Sequence, residues 1–115
     1  MKVHNLFYLL IFTYSFLSCV TTKNAIKDFN NAEYFNAANK FEKTLKSGDA
    51  KNNFLLAESL RKSNRLWQAE KFYRDAINNG IDDEMAYYYL VLSLKANNNY
   101  KQADSLIINY LNKGE

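Results

Sequence analysis

The chain has 115 residues, 48% of them apolar and 23% charged, and a net charge of +3. That length holds one domain, and the balance of residues is that of a globular protein rather than a disordered one. A charge of +3 is no electrostatic footprint for a polyanion, which argues against a nucleic-acid partner. The chain has no Pro and only three Gly, which suits helices, and Val and Ile are few enough to disfavour a sheet.

At the N-terminus, Lys2 and His4 precede an apolar run from Leu6 to Leu17. The run is shorter than the roughly 20 residues a membrane-spanning helix needs, so residues 1–18 read as a secretory signal peptide. The run ends at Ser18-Cys19, the only cysteine. A buried structural role suits Cys19 poorly, because it precedes every segment with a packing stripe. Residues 19–23 then form a short tether, and the folded domain is expected over 24–115.

Within that domain the periodicity predicts helices near 24–31, 34–46, 50–63, 66–79, 83–96 and 100–112. Leu56, Ala57 and Leu60 form one apolar face; Ser63-Asn64 interrupt it; Leu66, Ala69, Tyr73, Ala76 and Ile77 form a second stripe. The unit is helix, short polar turn, helix. The second stripe recurs upstream as Tyr34, Ala37, Phe41 and Leu45, and downstream as Tyr100, Ala103, Ile107 and Leu111. The first helices align as well, with Ala25, Phe29 and Ala32 in the first copy and Tyr87, Leu90, Val91 and Leu94 in the third. Three units are therefore expected, over about 24–46, 50–79 and 83–112. Gly48 and Gly80 stand between units, at positions that suit left-handed helix C-caps. Asp82-Asp83-Glu84 opens the fifth helix, where carboxylates complement the helix dipole; capping accounts for this acidic run better than a metal site.

A period near 34 with this helix-turn-helix unit resembles the tetratricopeptide repeat. The resemblance covers roughly residues 23–112 and implies an all-α fold, a right-handed superhelical array of about three units. Thr44 and Tyr110 depart from the small residue usual in that family, and Ile107 from its aromatic. Ser18-Cys19, directly after the apolar run, resembles the lipobox of bacterial lipoproteins, which implies a lipid on Cys19; Phe16 and Leu17 depart from that pattern, and simple cleavage or an uncleaved anchor is the alternative. Each acyl chain would contribute about 0.8 kcal/mol per buried CH₂ to membrane binding. The absence of acidic residues soon after Cys19 implies, by resemblance to Bacteroidota lipoproteins, an outer-membrane protein facing the periplasm.

Beyond residue 18 the chain has no His, and Cys19 is its sole Cys. Nucleophile systems built on His and zinc sites of the usual kind are therefore excluded, and no two Gly come close enough for a phosphate loop. No enzymatic role, cofactor or metal is expected. In tetratricopeptide arrays the first helix of each unit lines a concave groove, which implies a partner-binding surface at Phe54, Glu58, Arg61, Lys62, Tyr88, Tyr89, Leu92 and Lys95. Tyr87-Tyr88-Tyr89 cannot all face one side of a helix, so one or two should face the groove; packing between units is the alternative use. Arg61, Lys62 and Arg65 also suit a helix C-terminus. The sixth helix carries Leu106, Ile107, Ile108, Tyr110 and Leu111, more apolar surface than its own unit covers, so an open end that docks a partner or a second copy through this helix is expected.

The chain is similar to the N-terminal repeat segment of OmpA-like envelope lipoproteins of Bacteroidota, without their later propeller and peptidoglycan-binding domains. Two functions follow from that resemblance. One is an envelope-anchored interaction or scaffold module that holds a protein or peptide partner. The other is a truncated remnant of such a protein, folded but with no independent partner.

Overall fold

The computed structural model describes residues 22–45 and 48–114. The segment read as a signal peptide, Cys19, and the expected tether up to residue 21 lie outside the described residues. Among the described residues the chain is all-helical. Helix α1 spans 22–30, α2 Tyr34–Thr44, α3 Ala50–Lys62, α4 Leu66–Asn78, α5 Glu84–Ala96 and α6 Tyr100–Asn112. Each lies within about two residues of its expected span. No described helix is long and apolar enough to cross a membrane.

Helices adjacent in sequence pack on one another from α2 through α6. Three turns set the pairing of α1 with α2, α3 with α4 and α5 with α6. Each passes through one residue with positive φ, namely Ala32 (62°), Asn64 (60°) and Asn98 (61°). In each, two backbone bonds close the helix end: Glu33 N–H to the Asp28 carbonyl and Ala32 N–H to that of Phe29; Arg65 to Leu60 and Asn64 to Arg61; Asn99 to Leu94 and Asn98 to Lys95. This is the Schellman arrangement, which satisfies carbonyls that the helix leaves unpaired. Asn tolerates the left-handed region; Ala32 does not, at a cost of roughly 1–2 kcal/mol. Ala32, expected on the first apolar stripe, is thus an exposed turn residue.

Gly80 (φ 110°) caps α4 in the same way, with Ile81 N–H bonded to the Ala76 carbonyl and Gly80 N–H to that of Ile77. Gly48 also has positive φ, but α2 ends at Thr44 with an extended Leu45, so Gly48 is no C-cap of that helix. At the helix starts, Asp49 accepts from Asn52 N–H and Asp83 from Met85 N–H, which accounts for part of the acidic run as capping.

The core runs through all three pairs. Ala25, Ala37, Phe41, Leu56, Ala57, Leu60, Ala69, Tyr73, Ala86, Leu90, Leu94 and Ala103 are buried in one cluster. The alanines let backbones approach closely while Phe41, Tyr73 and the leucines supply apolar area. An ion pair of 2.6 Å between Lys40 and Asp28 ties α2 to α1, and Phe29 meets Tyr34 edge-on at 5.5 Å. Tyr100, expected on the apolar stripe, is instead 57% exposed.

Candidate functional site

The positions expected to line a groove fall into two groups. The first is built where α3, α4 and α5 meet. Glu58 projects from the middle of α3 and is only 8% exposed. Its carboxylate receives two bonds from Arg61, one turn later on the same helix, at 3.0 Å from Nε and 2.7 Å from Nη2. It also accepts from the Tyr73 hydroxyl, which reaches it from α4. Arg61 in turn lies 4.0 Å above the Tyr89 ring of α5, and Tyr89 stacks on Tyr73 with ring centroids 6.1 Å apart. Phe54 meets Tyr73 edge-on, and Tyr88 meets Tyr89 the same way.

The electrostatics follow from this geometry. Burial alone would raise the Glu58 carboxyl, but the bonds from Arg61 and Tyr73 and the charges of Arg61 and Lys62 outweigh it and hold the group below the ordinary range. Burial and donation to that carboxylate push the Tyr73 hydroxyl well up, and its bond to Glu58 raises Arg61 further. Glu58 therefore meets no partner itself. Its oxygens are occupied, and its effect is to hold the Arg61 guanidinium, about one-quarter exposed, over an aromatic ring. Lys62, the next cation, has its Nζ 4.8 Å from the Tyr34 ring and 5.3 Å from Phe29, toward α1 and α2. Arg65, the third of that cluster, lies over Phe35. Arg61 and Lys62 at the end of α3, and Arg65 at the start of α4, thus each have an aromatic neighbour on another helix, a use that a helix dipole does not explain.

The second group is a cleft of about 320 Å³ between α5 and α6. Tyr88, Leu92 and Lys95 line one wall, and Leu106, Ile107, Tyr110 and Leu111 the other. Two surfaces read separately in the sequence, part of the groove and the open end, are therefore one site. Tyr88 is 53% exposed and Leu111 64%, whereas Leu106 is half-buried and packs against the core. Ile108, 57% exposed, stands outside the cleft on α6. Tyr87 points to α6, where its ring lies 4.8 Å from that of Tyr110. The triple tyrosine is thus divided: Tyr87 packs on Tyr110 and lines the cleft with Tyr88, whereas Tyr89 packs on the second pair.

No family model, curated protein or solved structure matches this chain. The functional reading therefore rests on its own side chains. Four residues of these surfaces were not among those expected to line them: Tyr73, which links Glu58 to Tyr89, and Glu84, Tyr87 and Val91, which line the cleft. Tyr73, Tyr87 and Val91 stand on the apolar stripes, and periodicity alone reads such positions as packing.

Proposed function

We propose that this chain is a non-catalytic interaction module made of tetratricopeptide-type helix pairs in a right-handed array, held at the cell envelope by lipid on Cys19 and facing the periplasm. The shared turn at Ala32, Asn64 and Asn98, and the shared buried Ala37, Ala69 and Ala103, support the repeat reading. The observation that carries the binding role is the Arg61 guanidinium, fixed by buried Glu58 over Tyr89 and left about one-quarter exposed, in a cluster where Phe54 packs on Tyr73 and Tyr88 on Tyr89. A planar cation already held in place loses little entropy when it meets a carboxylate, and the neighbouring rings offer apolar area at low entropic cost. Lys62 and Lys95 extend the positive character along α3 and α5. The occupant this chemistry suits is a protein segment that carries acidic and apolar side chains.

The test is a pull-down from detergent-solubilised envelopes, comparing wild type with an Arg61→Gln, Lys62→Ala variant whose fold is checked by circular dichroism. A partner held by wild type and lost by the folded variant is expected. Retention of the same partner by the variant would remove the groove from consideration, and no partner with either protein would favour the remnant reading.

A further inference from the structure

The starts of α2, α4 and α6 carry a row of aromatic rings that neither surface described above uses. Phe35 is the second residue of α2, Trp67 the second of α4 and Tyr100 the first of α6, and all three are more than half exposed. Each follows one of the turns at Ala32, Asn64 and Asn98, so they share one edge of the array. Polar and cationic groups join them into a row. The Arg65 guanidinium carbon lies 4.7 Å from the centre of the Phe35 ring, two residues before Trp67. Asn97 donates to the Trp67 carbonyl at 2.9 Å, and the Tyr100 hydroxyl donates to Asn98 at 3.4 Å.

The charge left over along this edge is positive. Among the described residues neither Arg65 nor Lys101, which follows Tyr100, belongs to an ion pair. The carboxylates near them are already engaged: Glu70 by Arg74 at 3.0 Å and by Asn97 at 2.7 Å, Asp28 by Lys40, and Glu33 by the Asn36 amide. The edge at the other end of these helices, where α5 starts, instead presents Asp82, Asp83 and Glu84. An anionic surface therefore favours the aromatic edge over the opposite one.

This combination is that of a side-chain set for the boundary between lipid headgroups and acyl chains. Trp and Tyr gain there because one end of the ring is apolar and the other remains wet, while Arg and Lys bury their stems and keep their charge at the level of the phosphates. None of the three rings packs on another aromatic ring among the described residues, so each is free to enter a flat, fluid surface by itself.

We infer that this edge is a lipid-contact surface, with Phe35, Trp67 and Tyr100 at the headgroup boundary of a bilayer and Arg65 and Lys101 beside anionic headgroups. The inference rests on the envelope reading above in one respect, that an anchor at Cys19 keeps a bilayer at high local concentration. Helix α1 is about 13 Å long, so the edge at its end lies within one short helix of the start of the described chain. Arg61, Tyr89 and Tyr88 are not part of the row, and the partner surface is tested separately.

Trp67 is the only tryptophan, so its emission reports on this edge directly. The test places the full chain, purified from envelopes, on phosphatidylcholine vesicles with and without phosphatidylglycerol; flotation shows attachment, and lipids brominated just below the headgroup quench Trp67 by contact. In wild type, quenching on the order of twofold with a blue-shifted emission is expected, stronger with phosphatidylglycerol. Phe35→Ser, Tyr100→Ser, whose side chains are exposed enough for the fold to tolerate the change, should float equally and lose most of the quenching. Arg65→Gln, Lys101→Gln should lose only the increment due to phosphatidylglycerol, and Arg61→Gln, Lys62→Ala should change nothing. A wild type that floats with Trp67 unquenched overturns the inference and leaves the anchor standing, whereas a wild type that does not float overturns both. Quenching that persists undiminished in Phe35→Ser, Tyr100→Ser also overturns it, since proximity from the anchor alone would then account for the signal.

Discussion

The junction of α3 and α4 with α5 and the outer face of α5 and α6 are built from the same register of residues, 34 positions apart, yet one is closed and the other bare. At the junction, Tyr73 is buried between Phe54 and Tyr89 and its hydroxyl reaches Glu58. At the outer face, Ile107 and Leu92 stand at the positions of Tyr73 and Glu58, and no polar pair connects the walls. A charged network is tolerable where a following helix seals it and every oxygen has a donor. On a face without such a cover, apolar side chains remain available for a partner to cover. The chemistry of each face thus matches what lies on it.

The largest effect expected is from truncating the buried ring. Tyr73→Ala should cost about 3–5 kcal/mol of unfolding free energy, as large-to-small core changes do, whereas Ile107→Ala, at a side chain 36% exposed, should cost about 1 kcal/mol or less. Urea unfolding of the two variants checks this; equal costs would mean that the outer face is as closed as the junction.

Next is the charge at the centre of the junction. Glu58→Gln should destabilise the protein by about 1–3 kcal/mol at pH 7. Because the folded state holds this carboxyl below its ordinary value of 4.5, its contribution is present above that pH and lost as pH falls through the folded value. Wild type should therefore lose more stability than Glu58→Gln between pH 5 and acid. Parallel acid losses, measured as urea midpoints, would assign the titration to other carboxylates.

A smaller effect, of opposite sign, tests whether the three turns are equivalent. Ala32→Gly relieves a left-handed Ala and should stabilise by about 1 kcal/mol, while Asn98→Gly should change stability by only a few tenths. Thermal denaturation of both distinguishes them. Smallest of all, Tyr88→Ala should leave protomer stability within about 0.5 kcal/mol, since its ring is more than half exposed and its loss is felt only where a partner covers it.

Much of the scaffold was legible in the residues. Leu56, Ala57, Leu60, Ala69, Tyr73 and Ala76 follow helical spacing and are all buried, and Gly80 marks a helix end because no other residue adopts its conformation so readily. The candidate site was legible only in outline. The helical wheel puts Glu58 and Arg61 on one face, but not that Tyr73 donates to the carboxylate from another helix, nor that Arg61 covers Tyr89. The wheel likewise separates Tyr88 and Leu92 from Leu106 and Leu111, because they stand on different helices, whereas packing joins them in one cleft. Ala32 gave no sign of its turn, since Ala locally favours the helix.

The sequence by itself determined where helices start and stop and which stripe of each is buried, because those depend on local propensity, capping and a spacing of three to four residues. Tertiary structure decided which polar groups became internal, which rings met which cations, and which of two equivalent faces was left open. Those outcomes depend on contacts between residues 15 to 33 positions apart in the chain, such as Glu58 with Tyr73 and Lys62 with Phe29, whose meeting is fixed by helix packing and not by either residue's neighbours.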